Sequence, residues 1–181
     1  MKPRWSLAIL LVVAALLAAG PAQAWDEAKT KADVQGLLDQ VAASFDKKDV
    51  KSVLAHSTPE AAIKYRDGRS LGMAQWGERV ARDLADWQEP KSKFAVEQAW
   101  PKGKSQIGVV YTERHDFTRA SDPGHQYAIA ARFRAYLTRT GQGLRFAEFH
   151  DLGTVFTRDG KPVGLKPAKP VKAAKAPAKA K

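Results

Sequence analysis

The chain changes its hydrophobic period once, at Pro90, and that switch limits its fold more than any other feature. Before it, apolar residues recur at helical spacing. Val34, Leu37, Leu38, Val41 and Phe45 form one stripe on a helix from Asp26 to Phe45, and Met73, Trp76, Val80, Leu84 and Trp87 form another on a helix from Gly72 to Trp87. Pro90 forbids the second helix from continuing. After it, apolar residues alternate with polar ones, as on strands with one buried face. Phe94, Val96 and Trp100 mark the first strand, and Ile107, Val109 and Tyr111, running towards Phe117, the second. Tyr127, Ile129, Ala131, Phe133, Ala135 and Leu137 mark a long third, and Leu144 to His150, extended by Val155-Phe156, a fourth. Pro101-Lys102-Gly103, Ser121-Asp122-Pro123-Gly124 and Thr140-Gly141-Gln142-Gly143 punctuate them as turns. Helices followed by a meander predict an α+β domain, with the helices packed on one face of a curved antiparallel sheet.

The stretch between the two helices is less regular. Val50, Val53 and Leu54 suggest a short second helix, and Thr58-Pro59-Glu60 reads as a helical start with Thr58 as N-cap and Pro59 at the first position. Ile63 to Tyr65 reads as a short strand running into a turn at Asp67-Gly68.

Both ends of the chain stand apart from this domain. Lys2 and Arg4 precede an uncharged apolar run from Leu7 to Ala19, and Ala22-Gln23-Ala24 is a small-x-small cleavage site. This is the pattern of a secretory signal peptide over residues 1–24. Its apolar run of about 13 residues is shorter than the roughly 20 a spanning helix needs, which weighs against an uncleaved anchor. The mature chain then begins at Trp25, in the periplasm or outside the cell. There is no cysteine, so disulfides, thiolate metal sites and cysteine nucleophiles are excluded.

Residues 161–181 contain seven lysines and no acid, in a Lys/Ala/Pro-rich sequence expected to be disordered. The stretch 25–160 carries 21 Lys and Arg against 19 Asp and Glu. The net charge of +11 is therefore a property of the ends, and the domain itself is near neutral. A nucleic-acid partner is not expected, because its electrostatic footprint would lie on folded elements. Lys166–Lys181 reads either as a polycation that touches an anionic envelope surface or as a solubilising spacer.

Two stretches repeat the pattern Glu-x-His-Asp, at Glu113-Arg114-His115-Asp116 and at Glu148-Phe149-His150-Asp151. Residues two apart on a strand share a face, so Glu113 with His115 and Glu148 with His150 are the candidate acid–base pairs. A site common to both pairs would need strong curvature, since two strand spacings amount to about 10 Å. No metal site is expected, and no cofactor motif occurs. If the last hairpin closes over three residues, Arg139 faces Gly143, Arg134 faces Glu148 and Arg132 faces His150, making Arg134–Glu148 a cross-strand ion pair. Tyr65, Trp76, Tyr111 and Trp100 are candidates to line a pocket for a small apolar ligand, with Trp87 beside them.

Three segments together resemble the nuclear-transport-factor-2-like superfamily, in particular its SnoaL-like and ketosteroid-isomerase-like bacterial domains. They are the first helix with KKDVKSVLAHSTPEAAIKYRDGR, the helix after Leu71-Gly72 with Trp76 and Val80, and the closing hairpin RFRAYLTRTGQGLRFAEFH ending at His150. The resemblance spans about Ala28 to Phe156. It implies a cone in which the sheet wraps around the helices, a pocket opening between them, and a homodimer formed through the outer sheet face. Because this fold hosts both enzymes and binding modules, it implies no one activity. The isomerase constellation of an acidic base and an oxyanion-binding Tyr or Asp does not map onto this sequence residue by residue. The expectation is an exported small-ligand-binding or interaction domain. The alternatives are a lyase or isomerase using His115 or His150 as proton carrier, and an envelope-interaction protein acting through its tail.

Overall fold

The computed structural model describes residues 25–103 and 105–163; the proposed signal peptide, and the tail from residue 164 on, lie outside the described residues. Helix α1 spans Glu27–Asp46 and begins where Asp26 caps it, accepting a hydrogen bond from the Lys29 N–H at 2.9 Å. Its buried stripe is the predicted one, with Val34, Leu37, Leu38, Val41 and Phe45 facing inward. Two hydroxyls on that face, Thr30 and Ser44, are satisfied by the carbonyls one turn back, at 2.7 and 2.9 Å. Helix α2 (Val50–Ala55) follows, capped by Asp49. Helix α3 (Met73–Asp86) ends one residue before Trp87, which is extended and opens the long strand β3 (Trp87–Lys102).

The remaining strands are β1 (Ser57–Lys64), β2 (Ser70–Gly72), β4 (Gln106–Arg119), β5 (Asp122–Thr140), β6 (Gly143–Arg158) and β7 (Lys161–Pro162). They form one seven-stranded sheet in the order β2-β1-β6-β5-β4-β3, with β7 also on β6. The meander from β3 to β6 is antiparallel, as expected, but β1 pairs with β6 in parallel, so the sheet is mixed. Thr58-Pro59-Glu60 thus lies within a strand and starts no helix; it falls in the irregular stretch between Ser57 and Ala62, and these two flanking residues pair with β6 far along the chain. Strand β7 extends the fold past residue 160 through Asp159 (φ 52°) and Gly160 (φ 76°), both left-handed, as a tight two-residue hairpin requires.

Register shifts interrupt β3, β5–β6 and β1–β6, and such irregularities bend strands. The curved, unclosed sheet turns its inner face towards the helices. Ile107, Val109, Tyr111, Tyr127, Ala135, Leu137 and Phe146 form the core with α1. The outer edge of β3 is covered by α1. Gln35 donates to the Phe94 carbonyl at 2.9 Å and accepts from the Val96 N–H at 3.0 Å, and Asp46 accepts from the Ser92 N–H at 2.7 Å.

Candidate functional site

Strand β4 puts three polar groups in a row on the inner face: Tyr111, Glu113 and His115. Tyr111 is buried against Phe94, Phe133 and Phe146, at ring-centre distances of 6.2, 5.7 and 6.1 Å. Burial first, and then the charge of Glu113, push its hydroxyl well above the ordinary tyrosine value, so it stays a neutral donor. His115 is only 3 % exposed and lies among Phe45, Trp87 and Phe94. Its Nδ1 is 2.9 Å from the Ser92 hydroxyl, and its Nε2 is 3.8 Å from the Glu113 carboxylate. Glu113 and His115 therefore share a face, as their spacing predicts.

A small cavity of about 70 Å³ lies between α1, α3 and this face. Trp76, Phe94, Tyr111, Phe133, Phe146 and Phe149 are on its wall, and Glu113 is its single charged residue. His115 is not among its lining residues. A second, open groove of about 850 Å³ borders Asp39, Asp46, Lys93, Arg114 and Arg132 and shares Phe94 and Glu113 with the cavity.

Of the four residues expected to line a ligand pocket, the structure brings Trp76 and Tyr111 together on the cavity wall. Tyr65 lies just past β1, where Arg69 stacks on its ring at 5.4 Å. Trp100 lies on the outer face over Gly108. Trp87 stacks on Phe117 in the core at 4.0 Å. Phe94, Phe133 and Phe149 were not singled out as ligand-lining residues, although their alternation places them inside; which inner residues border an empty space depends on how α1 and α3 sit over the sheet.

The second Glu-His pair is on the opposite, outer face, so the two pairs make no common site. The hairpin closes over two residues, with Thr140 opposite Gly143, and the register slips again between Tyr136 and Leu137. As a result Glu148 faces Tyr136 and Arg134 faces His150, which corrects the expected Arg134–Glu148 pair. Glu148 instead pairs with Lys64 of β1 at 2.8 Å and hydrogen-bonds His150. The Lys64 hydrogen bond, more than that of His150, holds the Glu148 carboxyl below the ordinary range. Arg132, expected opposite His150, pairs with Glu97 at 2.6 Å. Burial, and then Arg145, lower the value for His56. His125 packs on Asp159 at 2.5 Å. Among the described residues, no three acidic or imidazole side chains converge to hold a metal ion.

No protein-family model matches the sequence. No curated protein matches it either. Solved structures do match. A nuclear transport factor 2-like superfamily protein from Salmonella enterica serovar Typhimurium superposes with a TM-score of 0.57 at 13% identity, covering 78% of this chain and 99% of its own. A ketosteroid isomerase-like protein from Erwinia carotovora atroseptica gives 0.54 at 11% identity, over 68% of this chain and 96% of its own. A hexachlorocyclohexane dehydrochlorinase gives 0.56 at 14% identity, over 78% and 95%. At these identities the likeness is one of architecture: helices closing over a curved, unclosed sheet, with this cavity between them, is the nuclear-transport-factor-2-like fold, and the chain has it.

Proposed function

We propose that this is an exported small-ligand-binding domain whose ligand enters the cavity between α1, α3 and the inner sheet face. The observation that carries the reading is the cavity itself. An otherwise aromatic-filled interior keeps a space of about 70 Å³ with one carboxylate on its wall. Apolar walls with few polar groups are the usual make-up of a small-molecule site. A cavity that admits benzene measures about 150 Å³, so the ligand here is smaller or inserts one small group.

Xenon-129 NMR, together with thermal unfolding against a panel of small apolar molecules, tests this. Saturable binding is expected, and Val53→Phe, which fills the cavity from its wall, abolishes it. Absence of saturable binding to the unsubstituted protein would end the reading.

A catalytic version of the same site draws on two structural neighbours, one a dehydrochlorinase and one isomerase-like by name. In it His115 handles a proton through Glu113, because Glu113 lies between the imidazole and the cavity.

Export belongs to the proposal too. It is supported by the signal pattern over residues 1–24 and by Asp26, which caps α1 two residues after the cleavage site. In this reading Lys166–Lys181 holds the domain against anionic envelope surfaces.

A further inference from the structure

We propose that the cavity selects a small organic cation, a methylated ammonium group, with Glu113 as its counter-ion. The inference rests on the cavity being the ligand site and adds the chemical class of what occupies it.

The first observation is the state of Glu113. Its side chain is 17% exposed, on the wall of an aromatic cavity. Among the described residues its carboxylate makes no hydrogen bond, and its one ion-pair-range neighbour is Nε2 of the His115 ring at 3.8 Å. The permanent cations along the adjoining groove are committed elsewhere or do not reach it. Arg114 is paired with Asp116 at 2.6 Å and Arg132 with Glu97 at 2.6 Å, and Lys93 makes no ion pair with Glu113. The residues that share the cavity wall with Glu113 are neutral, among them Phe94 from β3, Tyr111 on its own strand and Phe45 from α1, while Asp39 and Asp46 of α1 border the adjoining groove. Glu113 meets water where it borders the open groove, but towards the cavity it has no partner, and a cation in the cavity supplies one.

The second observation is the rest of the wall. Trp76, Phe94, Tyr111, Phe133 and Phe149 line the same space, and no Lys, Arg or His does. Aromatic rings attract cations through their quadrupole, indole most strongly, and cages of such rings recognise quaternary and methylated ammonium groups. The methyl groups also suit the apolar walls, which a hydrated metal ion does not. The third is size. About 70 Å³ is little more than two waters' share of the liquid, room for an ammonium that carries one methyl group, whereas three methyl groups take about as much space as a benzene ring.

The full mature chain is titrated with methylammonium chloride, with methanol as the neutral molecule of like size and with sodium chloride at equal ionic strength, reading the thermal midpoint and calorimetric binding. Saturable binding of methylammonium at least tenfold tighter than methanol is expected. Glu113→Gln should remove that preference, Glu113→Asp should keep most of it, and Trp76→Leu should weaken the cation more than the alcohol. Circular dichroism on each variant establishes that it is folded. Equal or tighter binding of methanol overturns the cation inference and leaves the cavity reading standing. Unchanged methylammonium binding by folded Glu113→Gln also overturns it, by placing the ion elsewhere. Failure of both molecules, with xenon also excluded, removes the cavity reading and this inference together.

Discussion

Gly108 occupies a position on β4 where no side chain fits. A Cβ built there would lie 2.2 Å from Cε2 of the Trp100 indole and 2.5 Å from two more of its atoms. The strand pair places Trp100 directly opposite Gly108, and on the other side Tyr136 faces Gly108 under the Lys102 ammonium, 3.2 Å from the ring centre. Gly108→Ala should therefore cost about 2 kcal/mol, as overpacking typically does. In a Trp100→Ala background the same change should cost almost nothing. Urea unfolding of the two singles and the double variant measures the coupling; additive losses would mean the contact carries no strain. The same cross-strand logic explains why Trp100 is a poor guide to a pocket from sequence alone. Its alternation puts it on a strand face, but Val96–Gln98 contains a register shift that turns it outward. Glu148 teaches the same lesson. Its residue type predicts an ion pair, yet the partner comes from Lys64, 84 residues away, through a parallel pairing that no local pattern announces.

At the scale of the element, β3 ends the sheet on one side, and a sheet edge left uncovered invites pairing with other chains. Gln35 reaches across from α1 and serves one acceptor and one donor of that edge at once, as a neighbouring strand would. Gln35→Ala leaves both groups open. It should cost about 1–2 kcal/mol, two ordinary hydrogen bonds. Hydrogen exchange should show it locally, as faster exchange of the Val96 amide with little change at Val109 in the sheet interior; protection unchanged at Val96 would show that α1 shields the edge by packing alone. Nothing in the sequence singles Gln35 out, because a polar residue off the apolar stripe of a helix usually faces water. The stripe itself was legible, and so were the ends of α1 and α3, since caps, prolines and periodicity act over a few residues. Strand β1 was only half legible. Ile63 reads as strand, whereas the Thr58-Pro59-Glu60 signal is overridden by the pairing of its flanks, Ser57 and Ala62, to β6.

At the scale of the whole molecule, the charge is split between a near-neutral domain and a lysine-rich end. If Lys166–Lys181 docks the protein, deleting it should abolish sedimentation with vesicles containing anionic lipid at low salt and leave the thermal midpoint of the domain unchanged. Added salt should weaken binding of the full chain, because such contacts are screened over about 8 Å at physiological ionic strength. Binding that persists after the deletion would move the contact onto the folded surface. By itself the sequence determined the buried stripes and ends of α1 and α3 and the alternation of most of the meander. All of these follow from periodicity and composition, which are local. Only the tertiary structure decided the parallel seat of β1, the register of the last hairpin, the outward turn of Trp100 and of the Glu148–His150 pair, and the space left beside Glu113. These depend on register shifts and on how α1 and α3 rest on a bent sheet, and a displacement of one residue in either sends a side chain to the opposite face.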